Sequence, residues 1–134
     1  MNLIEQSAEL ETSDPLMDSQ HTEFVEIINL LYRSMSAIDK EIEIELMRNL
    51  LDSLKTHFDY EESMMKEKKY VNYFSHKLDH DQFCKKISDF NEKIIDGTQR
   101  VNLEILNSLK NWFVNHLELN DKKLGKFLAE VKLK

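Results

Sequence analysis

The sequence predicts an all-α fold: an antiparallel up-down-up-down four-helix bundle with an N-terminal arm before it and a short C-terminal helix after it. Three observations carry this expectation. Apolar residues recur three and four positions apart through most of the 134 residues, the period of a helix with one buried face. Two glycines and one proline leave turn-rich clusters nearly absent between residues 19 and 119. The breaks in the pattern are short, at Asp39-Lys40, at roughly residues 66–70 and at Asp96-Gly97-Thr98, and short connections set consecutive helices antiparallel. A chain of this length forms one domain, divided here into an arm (1–17), the bundle (18–119) and a C-terminal segment (120–134).

Ser13-Asp14-Pro15 reads as a turn ending the arm, and Asp18 as a candidate cap for the first helix. The apolar stripe of that helix is His21, Phe24, Ile28, Leu31, Met35 and Ile38. The second helix contributes Met47, Leu50, Leu54, His57, Glu61 and Met64; the third contributes Tyr73, His76, His80, Phe83, Ile87, Phe90 and Ile94. Gly97 can terminate the third helix and Thr98 cap the fourth, whose stripe is Ile105, Leu109, Trp112, His116 and Leu119. Lys122 to Leu133 can form the terminal helix.

All five histidines lie on these stripes, together with Glu61. Imidazoles and a carboxylate in a core need partners, because uncompensated burial costs several kcal/mol per group. A metal supplies that compensation. The topology also brings the groups level. His21 is near the start of the first helix, His57 and Glu61 near the end of the second, His76 and His80 near the start of the third, and His116 near the end of the fourth. In an antiparallel bundle those are one end of the molecule, and at about 1.5 Å rise per residue every candidate lies within roughly a dozen Å of it. His57 and Glu61, like His76 and His80, are four apart, which sets each pair on one helical face with Cβ atoms about 6 Å apart. Asp121 follows His116 by five, a rotation of about 140° in a continuous helix, so the fourth helix must end or bend near Asn120 for both to face inward.

A net charge of −7 with both signs interleaved argues against nucleic acid or an anionic membrane as the principal partner. No stretch reaches the roughly 20 apolar residues of a membrane span, and the acidic first fifteen residues lack the features of a leader, so a cytoplasmic protein is expected. Cys84 is the only cysteine, which excludes an internal disulfide and a thiolate metal cluster; it reads as a small residue on the flank of the third helix.

The order of these pieces is specific: His21 preceded by Asp18 and Gln20; His57-Phe58-Asp59-Tyr60-Glu61-Glu62 with Met65; His76-x-x-x-His80-x-x-Phe83; and Trp112-Phe113-Val114-Asn115-His116 with Asp121 five residues later. Over about residues 14 to 128 the pattern resembles the hemerythrin family, particularly its single-domain bacterial form. The resemblance implies a non-haem di-iron centre. In it His76, His80 and His116 hold one iron, His21 and His57 hold the other, and Glu61 and Asp121 bridge both. Two six-coordinate irons offer twelve positions; five imidazoles, two bridging carboxylates and one bridging oxygen occupy eleven. The resemblance assigns the remaining position to the iron with two histidines and makes dioxygen its ligand, in an apolar pocket expected from Phe24, Ile28, Trp112 and Phe113. Three positions depart from the family's habit: Phe113 stands where leucine is usual, Val71 where proline is common, and the arm lacks a tryptophan.

The expected function is therefore reversible dioxygen binding for carriage, storage or delivery, not catalysis, by a monomer or small homo-oligomer. A di-iron oxidase, peroxidase or nitric-oxide-handling enzyme on the same ligands is the alternative, and an oxygen or iron sensor a third reading. Ferritin-like carboxylate enzymes repeat a glutamate followed by histidine three residues later, and zinc hydrolases carry His-Glu-x-x-His; neither spacing occurs here.

Overall fold

The computed structural model describes residues 2–5, 10–35 and 39–132. These form α1 (Pro15–Ser34), α2 (Lys40–Glu67), α3 (Tyr73–Ile95), α4 (Leu103–His116), one π-helical turn (Leu117–Asp121) and α5 (Lys122–Lys132). Ile38 and Leu133, expected on helical faces, lie outside the described residues.

Side-chain caps decide where three of the helices begin. Asp14 accepts from the Met17 amide with Pro15 in the first turn, so α1 starts three residues before the expected boundary, and Asp18 is not its cap. Asp39 accepts from Ile42 N–H at 2.9 Å and Asn102 from Ile105 N–H at 2.9 Å. The cap of α4 is thus Asn102 and not Thr98. Residues after Gly97 first run on so that Val101 is buried, with its N–H and the Arg100 guanidinium both donated to the buried Glu43 carboxylate. Gly97 ends α3 as expected, at φ +84°. The end of α2 had no glycine to announce it. Lys69 adopts φ +55°, and the amides of Lys69 and Tyr70 return to the carbonyls of Lys66 and Met65, which closes the helix while Tyr70 turns inward.

Helix α1 packs on α2 and α4, and α2 packs on α3. Ring contacts join the start of α1 to the end of α2 (His21 and His57) and the start of α3 to the end of α4 (His76 and His116). At the opposite pole Asn91, late in α3, donates to the Met47 carbonyl, early in α2. The four helices therefore alternate in direction. Two apolar clusters fill the interior: a large one that includes Phe24, Ile28, Leu50, Phe83, Ile87 and Leu109, and a small one of Met17, Met65, Tyr70, Leu124 and Leu128. Along α1 the order Met17, His21, Phe24 places the polar residues between the two.

The arm is docked rather than loose where it is described. Asn29 of α1, itself buried, accepts from the amides of Leu3 and Ile4 and donates to the Ile4 carbonyl at 2.8 Å. Thr12 donates to Asp18 through its amide and its hydroxyl. Its backbone also lies so close to α5 that a Cβ added to Gly125 would sit 1.8 Å from the Thr12 carbonyl oxygen.

Candidate metal centre

Each helix of the bundle delivers its histidines to the layer between the apolar clusters: α1 His21, α2 His57 with Glu61, α3 His76 and His80, α4 His116. All are buried, none above 4% exposed. Asp121, 1% exposed, joins them from the π-helical turn. An α-helix would carry Asp121 about 140° round from His116. The wider turn, closing hydrogen bonds across five residues, brings both inward and meets the bend expected near Asn120. The same phase shift moves Leu119, expected on the inner stripe, to the surface at 64% exposure, while Leu117 takes the inner position.

The inward atoms crowd together. His21 Nε2 lies 3.1 Å from His57 Nε2 and 2.9 Å from Asp121 Oδ2. His76 Nε2 lies 2.8 Å from Glu61 Oε1 and 3.2 Å from Asp121 Oδ1; His80 Nε2 is 3.5 Å from Glu61 Oε1; His116 Nε2 is 2.9 Å from Asp121 Oδ1; and His57 Nε2 faces Glu61 Oε2. Some of these contacts are hydrogen bonds, His21 to His57 and Asp121 and His76 to Glu61, but they do not satisfy every atom. Glu61 Oε2, His80 Nε2, His116 Nε2 and Asp121 Oδ1 are buried and make no aligned hydrogen bond among the described residues. Buried polar atoms left in this way demand another partner. Imidazole nitrogens and carboxylate oxygens that converge with several atoms left unsatisfied are the donor set of a first-row transition metal. Two overlapping groups, Glu61-His76-His80-His116-Asp121 and His21-His57-Glu61-Asp121, each bring their ligand atoms within 4.8 Å of one another and can hold a metal ion.

On the outer side of the imidazoles stand residues that sequence reasoning left without a role or missed. His57 Nδ1 donates to Gln20 Oε1 at 2.6 Å, His80 Nδ1 to Glu62 Oε2 at 3.0 Å, and His116 Nδ1 to Asp79 Oδ2. A proton fixed on Nδ1 leaves Nε2 as the lone-pair nitrogen facing the centre. Glu62, which the sequence presents only as the neighbour of Glu61, supports His80 from α2. Asp79 had no signal beyond its place beside His80. Ring stacking holds the imidazoles from the flanks: Phe58 on His80 (centroids 3.8 Å apart, 9° between planes), and Trp112 between Phe83 (3.6 Å, 2°) and His116 (4.5 Å, 12°).

Without metal, charge is concentrated in this layer. Burial and the Asp121 charge push the Glu61 carboxyl up, but the charge of His57 and the hydrogen bonds of His57 and His76 outweigh them and hold it well below the usual range. Asp121 is likewise lowered; burial opposes it, and His116, His21 and His76 overcome burial. Burial depresses His116, yet the Asp121 charge and the Asp79 hydrogen bond lift it to about 10. His76 is raised by Asp121 and Glu61 against the same burial.

A narrow cavity of about 10 Å³, close to the smallest space that admits one small molecule, opens beside His21 and His57. Of the four expected pocket residues Phe24, Trp112 and Phe113 line it, with Gln20, Ser53, Leu54 and Phe58. Ile28 does not; it is fully buried one turn deeper, in the apolar cluster. The Phe113 ring stands edge-on to His21 at 5.4 Å and tilted against Phe24 at 4.8 Å, which narrows the opening. Cys84 is half-buried, its thiol pushed up by burial. Among the described residues no helix is long and apolar enough to cross a membrane.

Residues 12–128 match the family model described as the hemerythrin HHE cation binding domain. The chain is 28% identical over 123 residues to a bacteriohemerythrin of Methylococcus capsulatus, covering 92% of this chain and 94% of the relative. It is 31% identical over 119 residues to a bacteriohemerythrin of Clostridium acetobutylicum, covering 85% and 92%. The crystal structure of a wild-type hemerythrin superposes with a TM-score of 0.88 at 27% identity, over 92% of this chain and 96% of the other.

Proposed function

The chain belongs to the hemerythrin family, and on that premise we propose that it binds dioxygen reversibly at a non-haem di-iron centre, as a cytoplasmic carrier, store or delivery protein and not an enzyme. His76, His80 and His116 would hold one iron, His21 and His57 the other, and Glu61 and Asp121 would bridge them. The observation that carries this reading is the pair of overlapping donor groups that share those two carboxylates. Iron bound there supplies reversible electron exchange with dioxygen.

The surrounding residues favour release of the gas intact. Phe24, Trp112 and Phe113 limit the cavity beside His21 and His57 to the volume of one small molecule, which excludes a file of water that could carry protons inward. Gln20 holds its oxygen on His57 Nδ1 and so keeps that proton on the outer side of the ring. Phe58 and Trp112 restrict rotation of His80 and His116 by stacking, which preserves the donor geometry whether or not gas is present.

The test is a gas cycle on the iron-loaded protein: reduction without air, addition of oxygen, then its removal. Return of the colourless ferrous state over repeated cycles is the expected result. One-way conversion to the ferric form, or product formed with each turnover, would move the assignment to a di-iron oxidase or peroxidase on the same ligands.

A further inference from the structure

The outer partners of the histidines follow a rotation around the bundle that does not close. Gln20 stands beside His21 in α1 and serves His57 of α2. Glu62 stands beside Glu61 in α2 and serves His80 of α3. Asp79 stands beside His80 in α3 and serves His116 of α4. The fourth member by position is Asn120, beside Asp121 in the π-helical turn, and the imidazole it would serve is His21. It turns the other way: Asn120 Nδ2 lies 3.0 Å from His116 Nδ1 and donates to Asp79 Oδ2 at 3.2 Å. Among the described residues, His21 Nδ1 is left buried with no hydrogen bond. The two halves of the centre are therefore backed unequally. In one half two of the three histidines, His80 and His116, each rest on a carboxylate; in the other His57 rests on a neutral amide oxygen and His21 on none of the described residues.

We infer that Glu62 and Asp79 make the His76-His80-His116 position the tighter metal position and the first to load, while amide-backed His57 and unsupported His21 make the second position labile. The inference rests on the di-iron reading and deepens it. A carboxylate that accepts the Nδ1 proton makes Nε2 a stronger donor and fixes the ring. Its own charge also lies close enough to favour a cation, whereas an amide oxygen supplies only a dipole. Asn120, by donating to Asp79, holds that carboxylate in place. The position with fewer histidines is thereby also the one whose histidines are least supported, and it lies against the cavity lined by Phe24 and Phe113. Weak support and access to a small ligand fall on the same ion.

Glu62, Asp79 and Gln20 are positioning residues. Their effect is read by anaerobic titration of the metal-free protein with ferrous ion against a coloured chelator. The wild-type chain should take up two ions in separated steps, at least tenfold apart in affinity. Glu62→Gln and Asp79→Asn, both isosteric, should weaken the first step by about 10-fold to 100-fold, the usual cost of removing such support. Gln20→Glu should strengthen the second step and draw the two together, a gain that a merely structural role would not produce. His57→Ala should abolish the second step and leave the first. Two ions bound with equal affinity would overturn the inference alone, as would a first step lost in His57→Ala or unmoved in both Glu62→Gln and Asp79→Asn. An unchanged second step in Gln20→Glu would do the same. Uptake of fewer than two ions by the wild-type chain would overturn the di-iron reading, and the inference with it.

Discussion

At the residue scale, the proposed chemistry rests on seven side chains, and a few others set its terms. His57→Ala and His80→Ala each remove a nitrogen from one of the two donor groups, so iron content measured on the purified variants should fall to half or below. Phe113→Leu should leave iron content at the wild-type level but accelerate oxygen association, because the side chain beside His21 becomes smaller and the cavity wider; unchanged stopped-flow kinetics would remove Phe113 from the gas path. The metal-free protein should show a pH dependence set by the same cluster. His116 is raised to about 10 and His76 is raised, so their contribution to folding is complete below the unfolded value of 6.5 and fades as pH climbs toward the folded one. Glu61 and Asp121 are lowered, so theirs is complete above the unfolded values of 4.5 and 3.8 and is lost as pH falls further. Thermal melts of the metal-free chain should therefore peak between about pH 4.5 and 6.5, and iron uptake at neutral pH should release protons. A melting temperature that rises from pH 6 to pH 9 would contradict this. The clustered histidines were legible because each sits on an apolar stripe. Asp79 was not, because hydrogen bonding to a ring on the neighbouring helix leaves no trace in the periodicity of its own.

At the element scale, the π-helical turn is what lets α4 present both His116 and Asp121. Its necessity was readable from the five-residue spacing, but its consequence for Leu119 was not, since a heptad stripe continues unbroken on paper. Helix ends divide in the same way. Gly97 announced its turn, whereas Lys69 adopts a left-handed conformation because Tyr70 has a buried place to fill. The junction of arm and α5 depends on Gly125, whose missing side chain makes room for the Thr12 carbonyl. Gly125→Ala should displace the arm and destabilise the fold by about 1–3 kcal/mol despite the better helix propensity of alanine. Chemical denaturation checks this, and a variant as stable as the wild type would show that the arm yields freely.

At the scale of the whole molecule, the all-α class, the alternation of the four helices and the level at which their histidines meet follow from period and loop length alone. The docking of the arm onto Asn29 and the small apolar cluster under α5 come from contacts distant in sequence, which no local pattern encodes. A centre that joins α1, α2, α3, α4 and the π-helical turn would tie the bundle together, so metal removal should lower the melting temperature at neutral pH, and readdition of ferrous ion without air should restore it. The most direct test is the iron-to-chain ratio of anaerobically loaded protein, measured on the wild type beside His57→Ala and His80→Ala. Two irons per wild-type chain with a clear loss in both variants is the predicted result; one iron or none in the wild type, or full retention in both variants, would contradict it.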